Sequence, residues 1–525
     1  MTAAVRHLLR RPWPIAIAGA ASGLAALHLS ALATAPPGLY NDEASVGYNA
    51  WAIAHGGVDE HGVSWPLFFQ GFGDYSRYPV YIYVLAPLTR VFPLTASVVR
   101  LPAALCGLAL CAAAALAAWH ISRSRAVSVL TMLTAGLAPW LAVLSRTAFE
   151  TITMTLALMV AVWCLTAAEA GRRRAAWFAG SGVALGVAIF TYAPPRIFVG
   201  MAVVALLVAW LALPPRRPSC LMALPPVGLA YTALLLWGHA HPGALTARFD
   251  LLSITGDHAP FATVARRFVG NYIEYLTPSF LFTHGDGNLR HSTGFGGMLM
   301  VSTAPVILLG LIACLRRWRE PVARFAVLGA VFSPVPAALT MEGTPHALRA
   351  ATMLPFLLML TAYGWQELLP LLTRRLLLAA ALGLAVAVET GGYWYDLYAQ
   401  WPARSLAWFD AGEGDAIVEA HAIAAGRTVL LSRTLDAPYI QAYFRLRPDP
   451  PMVARRGLAA VGMREAGPAD LTLASPGDIL VLSPQDTPPP GATLLREETV
   501  TVSYPLTQVG RPDRQEVLLA SIWRR

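Results

Sequence analysis

Short polar stretches interrupt an otherwise apolar chain, and they hold the residues able to do chemistry. The first is "NDEASVGYNAW" (41–51), with Asp42 and Glu43; "VDEHG" (58–62) follows, with Asp59 and Glu60. Then come "GFGDYSRYPVYIYVLAP" (71–87), "LSRTAFET" (144–151), "FTYAPPRIF" (190–198), "FTHGDGNLRHSTG" (282–294) and "MEGTPHALRAA" (341–351). Clustered carboxylates can supply a general base and candidate ligands for a divalent metal ion. Single arginines at helix ends grip a phosphate in a planar fork. Interfacial aromatics, as in "YPVYIYVL", line a groove for a lipid or stack on a sugar. Together these types suit a sugar carried on a lipid phosphate. The tail would lie in a membrane, the phosphate would meet arginine, and the sugar would face the acids.

Each stretch has a plainer reading. Asp42 and Glu43 equally suit the first turn of an amphipathic helix, where acids complement the helix dipole. Asp59-Glu60-His61 follows Gly56-Gly57 and reads as a turn. The spacing of His55 and Asp59 is a weak metal signal. Arg146 and Glu150 are four residues apart, the spacing of a helical ion pair. "GDGNLRHSTG" lacks the preceding strand and the lysine of a nucleotide phosphate loop, which excludes that class. Tyrosine and tryptophan also form ordinary belts at membrane interfaces.

The elements that must position these residues are membrane helices. The chain has 525 residues, 56% hydrophobic and only 13% charged, with a mean hydropathy of +0.53. That composition is a membrane protein's. The net charge of +9 comes entirely from arginine, since the sequence has no lysine. Arginines at the cytoplasmic ends of spans explain it without nucleic acid. The cysteines (Cys106, Cys111, Cys164, Cys220, Cys314) sit in or beside apolar stretches and read as small buried side chains.

About 20 apolar residues cross the hydrocarbon core. Spans are expected near 13–35, 98–119, 126–144, 151–170, 176–194, 197–213, 219–237, 298–314, 324–340, 350–370 and 376–391, or about eleven helices. The first is too long for a typical signal peptide and reads as a retained anchor. Alternate connections carry Arg6/Arg10/Arg11, Arg123/Arg125, Arg172/Arg173/Arg174, Arg216/Arg217, Arg316/Arg317/Arg319/Arg324 and Arg374/Arg375. By the positive-inside rule that side is the cytoplasm, with the N-terminus. The outer side then holds loops 36–97 and 238–297, turns at 145–150, 192–196 and 341–349, and everything after about 392.

From 402 onward the composition changes. "RTVLLS", "GDILVLS" and "QEVLLASIW" read as strands, "DAPYIQAYFR" as a helix and "DTPPPG" as a loop. The expected fold class is therefore an all-α polytopic membrane domain (1–391) plus a small C-terminal α/β extracytoplasmic domain (392–525). No internal repeat is visible.

The order of these features resembles the GT-C glycosyltransferases, in the bacterial protein O-mannosyltransferase and aminoarabinose-transferase branch (glycosyltransferase family 39-like). The resemblance rests on the acidic pair of "YNDEASVGYNAW" in the first outer loop and on "DYSRYPVYIYVLAPL". It also rests on "LSRTAFETI" after the third span, with Glu150 where Asp is commoner, and on "FTYAPPRIF" and "EGTPHALRAATMLP". It covers residues 1–391. It implies a bacterial inner-membrane enzyme that uses a polyprenyl-phosphate sugar on the outer face and inverts the anomeric centre. Asp42 would be the catalytic carboxylate, orienting or deprotonating the acceptor, with Glu43 beside it. Glu150 and Tyr48 would shape the acceptor or sugar side. Arg196 and Arg349, then Arg146 and Arg77, would hold the donor phosphate. A divalent metal ion is a further candidate, with Asp74 and His291 as its contacts. The leaving phosphate is a stable anion, so a base and phosphate charge stabilisation suffice.

The partners implied are the lipid bilayer, the polyprenyl-phosphate-linked sugar and an outer-face acceptor that could be protein, lipid or glycan. Two competing functions fit a polytopic chain. A transporter or flippase would place ionisable groups near mid-membrane and show inverted repeats. A scaffold or sensor would work through its C-terminal domain.

Overall fold

The computed structural model describes residues 12–171, 173–256, 258–503 and 514–525. Arg6, Arg10, Arg11 and Arg172, named above among the cytoplasmic arginines, lie outside the described residues. Six described helices are long and apolar enough to cross a membrane: Ala96–Ser122, Thr151–Ala170, Pro218–Ala240, Pro321–Ala338, Ala347–Arg374 and Leu376–Phe409. Trp13–Leu29, Arg125–Leu137, Pro195–Leu211 and Val301–Arg316 are apolar but shorter. This is a multi-pass membrane protein.

Proline explains where helices break. The stretch expected to span at 126–144 is two helices, Arg125–Leu137 and Pro139–Leu144, joined at Ala138 with extended backbone (φ −63°, ψ 131°). Pro139 has no N–H to donate, and its ring pushes the residue before it out of the helical region. Pro225 and Pro226, by contrast, sit in the first turn of the helix Leu224–Ala240, where the missing donors would be unpaired anyway.

The chain folds as two units. One comprises the segment ending at Ser30, Ala103–Arg146 and Glu150–Trp394, and is helical. Within it, helices Ala304–Arg316 and Leu354–Arg374 pack backbone against backbone. A Cβ on Gly310 would lie 1.8 Å from the Leu360 carbonyl oxygen, and one on Gly364 would lie 1.9 Å from that of Val306. Small residues let helix backbones meet where lipid offers no hydrophobic driving force. Gly364→Val is expected to push the pair apart at a cost of about 1–3 kcal/mol. A thermal midpoint equal to that of the unmodified protein in the same detergent would contradict this packing.

The other unit comprises Ala31–Pro102, Thr147–Phe149 and the chain from Tyr395 on. Two short strands, β1 (Phe69–Gly71) and β2 (Asp74–Arg77), form a hairpin. Five more, β3 (Val429–Ser432), β4 (Met463–Ala466), β5 (Ile479–Leu482), β6 (Thr493–Ser503) and β7 (Arg514–Arg524), form a sheet in the order β4-β3-β5-β7-β6. β3 is parallel to β4 and β5, and β7 is antiparallel to β5 and β6. β3 and β5 are apolar throughout except for Ser432, because both faces are covered. Ile417, Ala420, Leu431 and Val481 pack on one face, and Leu430, Leu471 and Leu480 on the other. The strands and helix expected from sequence are all present; β4, β6 and the β1–β2 hairpin are additional.

In this unit the helix Asn41–Gly56 packs against the helix Pro438–Leu446. The Tyr48 and Tyr443 rings lie 5.2 Å apart, and a Cβ on Gly47 would come within 2.7 Å of Phe444. Gln441 Nε2 donates to the Leu39 carbonyl (2.8 Å) and to Asn41 Oδ1 (2.9 Å). The start of the helix that carries Asp42 is therefore fixed by the C-terminal segment.

Glu413 opens the helix Glu413–Ala424 and is buried, with no hydrogen bond to Oε1. Burial, reinforced by Asp410 and Asp436, pushes its carboxyl from 4.5 up to about 9. The unfolded carboxyl ionises first as pH rises, so the folded state holds the extra proton. This stability is present below pH 4.5 and is lost as pH rises toward 9. Glu413→Gln should raise the thermal midpoint at pH 8 and leave it nearly unchanged at pH 4.5. An equal shift at both pH values would rule out titration as the cause.

Candidate active site

Asp42 and Glu43, adjacent in sequence, have different surroundings. Glu43 is fully buried. Arg100 grips it with both arms, Nε to Oε1 at 2.8 Å and Nη2 to Oε2 at 2.7 Å. The Ala148 N–H donates to Oε1 (2.9 Å) and the Tyr40 N–H to Oε2 (3.3 Å). Arg100, itself fully buried, also donates to the carbonyls of Leu32, Pro36 and Gly38 at 2.8–3.0 Å. Gly38 takes a left-handed φ of +61°, and a Cβ there would meet the Phe409 carbonyl oxygen at 2.4 Å. Glu43 thus caps the helix and ties the segment before it to the chain around residue 148. It is a structural strut with no exposed oxygen, which corrects its expected place beside Asp42 in the chemistry.

Asp42 is not a cap. Its side chain is 31% exposed, and Arg77 Nη2 donates to its Oδ1 at 2.5 Å. No hydrogen bond reaches Oδ2 among the described residues, which leaves that oxygen for an incoming group. Arg77, on β2, is aimed by its Nε contact to Ser45 Oγ (3.4 Å) and by stacking over Phe72 (4.7 Å). Arg77 therefore holds Asp42 in place. Asp74 lies on the same strand.

Tyr48 is fully buried, its hydroxyl 3.4 Å from the Pro448 carbonyl and its ring among Trp51 and Tyr443. It is a packing residue, not an acceptor contact. Asp59 makes the expected turn, accepting from the N–H groups of His61 (2.9 Å) and Val63 (2.8 Å). Glu60 does not behave as a turn residue. It is buried, its N–H donates to Asn49 Oδ1 (3.0 Å), and Asn49 Nδ2 approaches its Oε2 (3.4 Å). Burial pushes its carboxyl up, against the opposing pull of His61 and Arg77.

The remaining candidates lie in the helical unit. Arg146 is fully buried and donates to the carbonyls of Ser30 (2.9 Å) and Leu27, with its guanidinium over Trp394. It satisfies carbonyls at the end of the helix Pro12–Leu29, a C-cap role that removes it from the phosphate set. Glu150 is buried at the start of the helix Thr151–Ala170. Arg196 is half-buried in the first turn of the helix Pro195–Leu211. Arg349 is 7% exposed, with Nη1 on Thr340 Oγ1 (3.1 Å) and the Glu342 carbonyl (2.8 Å) and Nη2 near Glu342 Oε2 (3.3 Å). The Glu342 carboxylate is itself 67% exposed.

His291 has partners that spacing along the chain does not show. Its Nδ1 lies 2.8 Å from Asp286 Oδ2, which also accepts from the Ala347 N–H at 2.7 Å. His346 lies against it, ring centroids 4.4 Å apart. One ligand atom from each of the three lies within 4.8 Å of the others. Burial pushes the His346 imidazole well below its ordinary pKa, with His291 and Arg349 adding to the effect, so the ring is neutral. Its buried Nδ1 has no hydrogen-bond partner. A neutral imidazole with an orphaned nitrogen, a second histidine and a carboxylate fit a divalent ion of the zinc type. The histidines of "FTHGDGNLRHSTG" and "MEGTPHALRAA" were the available signal, but only the fold pairs them.

An apolar groove of about 490 Å³ opens in the same unit, lined by Leu130, Leu137, Trp365, Leu372, Leu382 and Val386.

The chain is similar to known proteins in sequence over one segment and in fold. Residues 76–238 match the family model described as dolichyl-phosphate-mannose-protein mannosyltransferase. The resemblance to the GT-C branch read from the motifs is thereby confirmed for that segment. The whole chain is similar in fold to ArnT from Cupriavidus metallidurans bound to undecaprenyl phosphate, with a TM-score of 0.57 and 14% identity over 97% of this chain and 98% of that one. The apo state of the same ArnT gives 0.57 and 14% over 98% of each chain. No curated protein sequence matches.

Proposed function

We propose that the chain is an inverting glycosyltransferase that moves a sugar from a polyprenyl-phosphate donor to an acceptor on the outer face of a bacterial inner membrane. The observation that carries this reading is Asp42: one partly exposed carboxylate, held by Arg77, next to a Glu43 that is wholly engaged in structure. The ArnT-like fold supports it, because the ArnT compared was bound to undecaprenyl phosphate. Asp42 Oδ2 accepts the proton of the acceptor as the acceptor attacks the anomeric carbon. The bond to the phosphate oxygen breaks on the opposite side, and the electron pair leaves with the polyprenyl phosphate. That anion is stable, so no acid is required. Arg349 and Arg196 are proposed to hold the phosphate, and the apolar groove the isoprenoid chain. An ion held by Asp286, His291 and His346 would add positive charge for phosphate binding.

Titrating the purified protein with undecaprenyl phosphate tests donor binding. A saturable rise in thermal midpoint is expected, weakened about tenfold in Arg349→Ala, the loss of one charge-assisted contact of about 1.4 kcal/mol. No rise with the lipid phosphate would remove the donor class. Metal analysis tests the histidine cluster. Near-stoichiometric zinc or manganese is expected in the purified protein and should be lost in His346→Ala. A metal-free protein whose midpoint ignores added zinc would leave the cluster as hydrogen-bonded packing.

A further inference from the structure

A second cavity, this one polar, lies in the helical unit, and its lining includes none of the residues discussed as catalytic. It holds about 520 Å³ between the ends of the helices Ala96–Ser122 and Thr151–Ala170, the Pro215 turn and the start of the helix Pro321–Phe332. Arginine-rich connections meet here: Arg123 comes from one, Arg319 from another, and Pro215 precedes Arg216 and Arg217 in a third. The sequence assigned those connections to a single side by charge alone.

The lining offers donors with little else to do. Arg319 is exposed and makes no ion pair among the described residues, and Arg123 reaches only the Ala170 carbonyl at 3.4 Å. His120 Nδ1 is buried without a hydrogen-bond partner. Tyr363 is buried, and its hydroxyl has no hydrogen bond among the described residues. Of the two acids, Glu169 is already engaged by Arg217 (3.1 Å) and by the Trp210 indole N–H (3.2 Å). Glu320 is exposed. The cavity thus gathers two guanidiniums, an imidazole and a phenol, with a single uncommitted carboxylate against them. Ile121, Pro215 and Val322 add apolar wall beside the donors.

We infer that this cavity binds a phosphate anion at the arginine-rich end of the bundle, and that its ligand is the headgroup of an anionic phospholipid. Guanidiniums match phosphate in a charge-assisted, two-pronged geometry. Basic pockets between membrane helices on the cytoplasmic side are a recurrent way to hold such headgroups. The apolar wall beside the donors suits a molecule whose phosphate carries acyl chains better than a free anion.

The test uses the full-length protein in a neutral detergent, titrated with phosphatidylglycerol, phosphatidylcholine or glycerol 3-phosphate while the thermal midpoint is followed. Phosphatidylglycerol is expected to raise the midpoint saturably, and phosphatidylcholine is not. The double variant Arg123→Ala/Arg319→Ala, both positions being exposed, should keep the unliganded midpoint. It should bind phosphatidylglycerol about thirtyfold more weakly, the loss of two arginines near an anionic headgroup. If glycerol 3-phosphate matches phosphatidylglycerol and is equally sensitive to the double variant, the anion site stands and its ligand is a soluble phosphate. Equal phosphatidylglycerol affinity in variant and wild type, or no preference over phosphatidylcholine, overturns the inference. None of these readouts involves sugar transfer, so they stand or fall apart from the proposed activity.

Discussion

Asp42→Asn is expected to lower sugar transfer at least about a hundredfold, the usual contribution of a positioned general base, while the protein still folds. Asparagine keeps the shape and can still accept from Arg77 through its amide oxygen. The Asp42–Arg77 pair is partly exposed, so weakening it should cost about 1 kcal/mol or less. Rate and stability therefore separate at this residue. The comparison needs equal amounts of purified wild type and variant, with turnover and thermal midpoint measured on the same samples. Transfer at the wild-type rate would remove Asp42 from the chemistry. Lost transfer accompanied by an equally lost fold would show that Asp42 acts through structure.

The opposite separation is expected one residue later. Glu43→Ala leaves the buried Arg100 guanidinium without its counter-ion, and breaking a buried pair by removing one partner costs about 3–5 kcal/mol. The variant should give a sharply lower midpoint and poor yield. Glu43→Gln, which retains one acceptor oxygen, should fall between it and the wild type. Yield and midpoint in a common detergent decide the matter. A Glu43→Gln protein with the wild-type midpoint but no transfer would assign Glu43 a chemical role and undo the distinction between the two acids.

Much of this was legible in the sequence. Apolar runs placed the helices, and runs such as "VLLS" and "ILVL" marked the buried strands, because burial on both faces leaves a continuous apolar string. The break at Ala138 could have been read from Pro139, but an apolar run of spanning length hid it. β4, "MREA", is an edge strand with polar outer positions and carries no such signature. The site was legible in its parts rather than in its pairs. The two acids of "NDE" look equivalent in sequence. What separates them is Arg100, fifty-seven residues on, and Arg77, thirty-five on. Glu60 looked like a turn beside Asp59. The turn is there, but its partner Asn49 lies on the preceding helix and draws Glu60 into the core. Asp286 and His346 were passed over for the same reason: spacing shows neighbours along the chain, and this cluster is made by folding.

The proposed activity is group transfer rather than movement of a lipid. The most direct measurement reconstitutes the purified protein in liposomes with polyprenyl phosphate carrying a sugar labelled in the ring, together with a cell-envelope extract as the acceptor source. The proposed function predicts that label leaves the polyprenyl lipid for an acceptor, with free polyprenyl phosphate formed in equal amount, and that Asp42→Asn abolishes both. Label that stays on the lipid while the lipid crosses between leaflets would contradict it and identify a transporter.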